Sequence, residues 1–65
     1  MDGKDILRVR QGAGVSQTEL SNALGLVQRG TLTDIESGAV EVSTAWALKA
    51  IGAVSGIAAN RRMQE

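Results

Sequence analysis

Side chains able to make or break covalent bonds are scarce in this chain. Its 65 residues include no His and no Cys, which removes a thiolate nucleophile, an imidazole base, disulfides and the usual ligands of a structural zinc. The carboxylates are scattered over helical surfaces rather than paired for acid and base work. Gly12 and Gly14 lack the strand and the lysine that a phosphate-cradling loop requires. An enzyme is therefore not expected, nor a cofactor, a metal or a small-molecule ligand. What remains is a polar set, Gln28, Arg29, Thr31, Thr33 and Asp34. It offers an amide, a planar guanidinium fork, two hydroxyls and a carboxylate, all suited to hydrogen bonding.

The elements that must position this set lie between Ser16 and Gly38. Ser16 and Glu19 have the spacing of a capping box, so a helix starts there, and Val15 and Leu20 are placed as its hydrophobic staple. Leu20, Ala23 and Leu24 give this helix one apolar face. Gly25 ends it, since glycine takes the left-handed conformation at low cost. A second helix, beginning at Gln28 or Arg29 and ending at Ser37, has Leu32 and Ile35 as its apolar stripe and stops at Gly38. The polar set then faces away from that stripe.

A helix opened by Ser16-Gln17, a corner at Gly25-Leu26, and a next helix carrying Arg29-Gly30-Thr31 and Ile35-Glu36 resemble the helix-turn-helix of the Cro/C1-type (Xre family) regulators. The resemblance runs from about Ile6 to Val54. Ser21 falls where two helices must cross closely, and Arg10 and Glu36 match an Arg/Glu pair of the family. The segment between Gly25 and Ile35 is slightly longer than the family's usual pattern, with the extension placed in Leu26-Val27-Gln28.

The resemblance implies an all-α domain of five short helices spanning residues 1–65, with the helix-turn-helix at about 16–38. It also implies roles for the polar set. Ser16 and Gln17 open a helix that lies across the DNA backbone, where Gln17 can give its amide to a phosphate. Arg29 is the strongest candidate for reading a base, because its fork matches the two acceptors of guanine. Gln28 would address adenine or a phosphate, and Thr31 and Thr33 offer hydroxyls to phosphates and methyls to thymine. Gly30 would let the backbone approach DNA closely. Asp34 has three readings: it accepts from cytosine N4, it braces Arg29, or it points outward without a role. Arg10 is either a solvated cation or a partly buried partner of Glu36, and a buried pair of that kind fixes register more than it stabilises. The loop Ala39-Val40-Glu41-Val42 carries no basic residue where related proteins often place one.

The rest of the chain reads as support. Asp2 caps a first helix running to Gln11, with Asp5 favouring the positive end of its dipole and Ile6, Val9 and Ala13 on its buried face. Ser43 or Thr44 caps a fourth helix whose buried face is Ala47, Leu48 and Ile51. Trp46, one position off that stripe, is expected in core packing or at a subunit contact. Gly52 to Gly56 is expected to loosen the helix, and Ser55 to cap a short fifth one. Val54, Ile57 and Ala58, within a dimerisation segment at about 54–63, are the expected dimer interface. Arg61 and Arg62 complement the negative end of the last helix.

Composition bounds the partners. Net charge is zero, which argues against indiscriminate attraction to nucleic acid without excluding site-specific binding. Four of the seven basic residues, Lys4, Arg8, Arg10 and Arg29, precede Gly38 and share that stretch with five acids. A domain of this size buries only about 60% of its surface on folding, so dimerisation is the expected added source of stability. No apolar run reaches the roughly 20 residues of a membrane span and the start lacks a signal-peptide core, so a cytoplasmic protein without a membrane partner is expected. Together with the resemblance, these features point to a homodimeric transcriptional regulator of the small stand-alone Cro-like or controller type. It would bind double-stranded DNA at an inverted-repeat operator, as a repressor or autoregulator in a phage or mobile-element operon. The alternatives are an antitoxin, or an antiactivator that keeps the fold but binds a protein.

Overall fold

The computed structural model describes residues 2–26 and 29–64, with the backbone alone at Arg29 and Gln64. Four helices make up the described chain: α1 (Gly3–Gly12), α2 (Gln17–Leu24), α3 (Arg29–Ser37) and α4 (Thr44–Gln64). The fold is all-helical, and no strand occurs among the described residues.

Local chemistry fixes the ends of the first two helices. Asp2 accepts from the amides of Lys4 and Asp5 while the Asp5 carboxylate accepts from the Asp2 amide, so α1 opens on a reciprocal cap. Ser16 and Glu19 do the same for α2, each bond 3.1 Å long. Gly25 closes α2 at φ 72°, the left-handed conformation that glycine adopts most readily. At α4 the cap is Ser43, whose hydroxyl accepts from the Trp46 amide at 3.1 Å.

The helices α1 and α2 each touch both α3 and α4. Between them lies one core of Ile6, Val15, Leu20, Leu32, Ile35, Ala47, Ala50 and Val54. The staple residues Val15 and Leu20 are both in it, as are both members of the α3 stripe. The start of α1 and the end of α3 come very close. A Cβ added to the buried Gly3 would stand 1.6 Å from the Ile35 carbonyl oxygen. Only glycine lets the two backbones meet at that separation.

The second half of the chain departs from the sequence-based expectation. Five helices were expected, yet residues 44–64 form one helix of 21 residues, running straight through Gly52 and Gly56. Each glycine costs a helix about 1 kcal/mol. That cost is offset by burial, because Val54 is fully buried and Ile51, Ala53 and Ile57 pack against the core. The buried face also differs: it is Ala47, Ala50 and Val54, with Trp46 and Ile51 beside it, whereas Leu48 is 51% exposed. Small and apolar residues occur all round α4, so their spacing alone does not select a face. Among the described residues no helix is long and apolar enough to cross a membrane.

Candidate nucleic-acid interface

Two of the four unpaired amides at the start of α2 are taken by its cap, at Ser16 and Glu19. The amides of Gln17 and Thr18 are the ones that helix geometry directs out of the N-terminus. Ser16 is exposed and Gln17 half-buried. On α3, Leu32 and Ile35 turn into the core, which puts Gly30, Thr33 and Asp34 on the exposed side with Thr31 half-buried beside them. Arg29 is the first residue of α3, but its side chain and all of Gln28 lie outside the described residues.

A polar cluster joins the two elements. Glu36, 3% exposed, takes the Arg10 fork through both carboxylate oxygens, at 2.7 Å from Nε and 3.1 Å from Nη2. The remaining Arg10 nitrogen donates to the Val15 carbonyl at 3.0 Å, just ahead of the α2 cap. Arg10 is thus a buried structural partner and not a solvated cation. Glu36 also accepts from Gln17 Nε2 at 2.8 Å, and Gln17 Oε1 in turn accepts from the Thr33 hydroxyl at 3.4 Å. Because a carboxylate only accepts, this contact fixes which end of the Gln17 amide faces Glu36. Among the described residues no buried side-chain polar atom is left without a partner.

The described residues among the interface and pair candidates thus gather around one surface. Ser16, Gln17, Gly30, Thr31, Thr33 and Asp34 occupy α2's first turn and the outward side of α3, and Arg10 with Glu36 locks these together from behind. Gln17 is engaged at both ends of its amide inside the protein, so it is a strut between helices as well as a surface group. Val54 requires correction as a subunit-contact residue: it is fully buried within the single chain. Ile57 and Ala58, expected beside it, are half-buried, and Ile57 packs on the core.

Two contributors were not evident in the sequence. Gly3 carries no local turn signal, and its role appears only where α1 meets α3. Arg61, expected to act on the helix dipole, donates to the Gly14 carbonyl at 2.8 Å and pairs with Glu19. Its partners lie far away in sequence, so neither spacing nor composition could identify them. No protein-family model, no curated protein and no solved structure matches the chain.

Proposed function

We propose that the protein is a sequence-specific binder of duplex DNA, acting as a homodimeric transcriptional regulator of the helix-turn-helix kind. The observation that carries this is the continuity of one surface: the start of α2 and the outward side of α3 are held in register by the Gln17 bridge from Glu36 to Thr33. A helix start whose amides suit a phosphate, beside an exposed helix face with Thr31, Thr33 and Asp34, has the donors and acceptors that base edges and backbone demand. Arg29 leads that helix and is the base reader of choice. Two copies would address half-sites about 34 Å apart, one helical turn of DNA. The contact between copies is assigned to the exposed side of α4, which carries Leu48 and Met63.

Selection of bound duplexes from a randomised pool, followed by gel retardation of the enriched sequence at about 50 mM salt, tests the proposal. A defined, inverted-repeat sequence is the expected outcome, and Arg29→Ala should cost about 1 to 3 kcal/mol while relaxing preference at one base pair. Recovery of no preferred duplex would defeat it.

A second assignment, a protein-binding antiactivator, is favoured by Val40, 46% exposed beside Glu41, and by exposed Asp34. It requires that promoter control survive Arg29→Ala and that no duplex be enriched.

A further inference from the structure

The outward side of α1 carries charge that the interface above does not use. Lys4 and Arg8 stand one helical turn apart. With Leu7 and Gln11 they wall a shallow groove of about 490 Å3, closed on its other side by Glu36 and Ser37 at the end of α3. Lys4, Arg8 and Gln11 are exposed. The two ion pairs found among the described side chains, Arg10 with Glu36 and Arg61 with Glu19, involve neither Lys4 nor Arg8. Glu36 is the only carboxylate among the described residues that line the groove, and it is 3% exposed and paired with Arg10. Asp2 and Asp5, nearby on α1, turn carboxylate oxygens onto the helix's own amides. Asp2 and Glu41 line the adjoining groove at Lys4, so what this strip of α1 offers is two side-chain cations that enter neither ion pair found among the described side chains.

The strip adjoins the candidate interface. Gly30, Thr33, Asp34 and Ser37 follow one another at helical spacing along α3, all exposed, and Ser37 is also part of the groove wall. An open, shallow trough suits an extended polyanion better than a single small anion, which needs enclosure. Cations about 6 Å apart along the helix axis can neutralise neighbouring phosphates on one strand. The loop after α3 offers Val40 and Glu41 instead of a cation.

Building on the duplex-binding proposal, we infer that Lys4 and Arg8 bind backbone phosphates, so that the edge of α1 grips the strand flanking the major groove. The strip supplies affinity without sequence information. Each phosphate neutralised adds about 0.9 to the steepness of log K against log salt.

The test measures binding of the full chain to an enriched duplex and to an unrelated one across about 50 to 200 mM salt. It compares the unaltered protein with Lys4→Ala/Arg8→Ala, with the milder Lys4→Gln/Arg8→Gln, and with Lys49→Ala/Arg62→Ala on exposed positions of α4, all at protein concentrations where sedimentation finds each variant in the parent's oligomeric state. Either α1 variant should lower the slope by about 1.8, so that the same rise in salt weakens it roughly tenfold less than the parent. Its ranking of duplex sequences should be unchanged, and the α4 variant should keep the parental slope. A parental slope in the folded α1 variants would overturn the assignment while leaving duplex binding intact. An equal fall in the α4 variant would also overturn it, since net charge alone would then be responsible. If the unaltered protein prefers no duplex, the assignment and the proposal beneath it fall together.

Discussion

Two arginine–carboxylate ties converge on the start of α2, and they differ in depth. Arg10 and Glu36 meet from α1 and α3 with side chains 10% and 3% exposed, and every Arg10 nitrogen has a partner. Arg61 and Glu19 meet from α4 and α2 with side chains 40% and 39% exposed. Charge and partner type are the same in both, yet the energetic consequence of losing one member is not. Removing one side of a buried pair strands an unpaired charge in a poorly solvated place. Removing one side of an exposed pair leaves the other to water. The inner tie therefore dictates the arrangement of the helices, and the outer one trims it.

Mutations can break this contrast in order of expected size. Arg10→Ala should destabilise by about 3 to 5 kcal/mol in chemical denaturation, because Glu36 would stay buried without its fork. A loss below about 1 kcal/mol would show that Glu36 reaches solvent and that the two ties are alike. Gly3→Ala comes next, at about 1 to 3 kcal/mol, since the added methyl forces α1 away from the Ile35 carbonyl and strains the same junction. Gly52→Ala and Gly56→Ala should each raise the thermal midpoint, by about 0.5 to 1 kcal/mol of stability, as no atom lies within 4 Å of the new Cβ. A fall in the midpoint would mean that α4's outer side is occupied in solution. Arg61→Ala should be the smallest change, about 0.2 to 1 kcal/mol and weaker at high salt.

The same contrast separates what the sequence discloses from what it conceals. Interactions closed within one helical turn were legible: the Ser16 to Glu19 cap, the Val15 to Leu20 staple and the Gly25 stop all stand where the spacing puts them. The Arg10 to Glu36 pair spans 26 positions and was accessible only through the family resemblance. Nothing local marks Gly3, whose constraint comes from Ile35, or Arg61, whose partners are Gly14 and Glu19. In α4, glycines that argue for a break were overridden by the burial of Val54. Leu48 faces outward although its spacing from Ile51 suits a buried stripe, because apolar residues all round the helix give no preferred direction. Of the candidate interface, the outward placement of Gly30, Thr33 and Asp34 followed from the Leu32 and Ile35 stripe. The engagement of Gln17 with Glu36 and Thr33 did not, because it depends on how two helices cross.

The bond from Arg10 to the Val15 carbonyl has one further effect. A residue of α1, held by α3, completes the backbone partners of the segment that launches α2, so no one of these three helices can detach without disturbing the others. Amide hydrogens in α2 should accordingly exchange with solvent deuterium only through global opening, at the rate set by whole-molecule unfolding. An eight-residue helix that would flicker in isolation thereby behaves as a fixed part of a single cooperative unit.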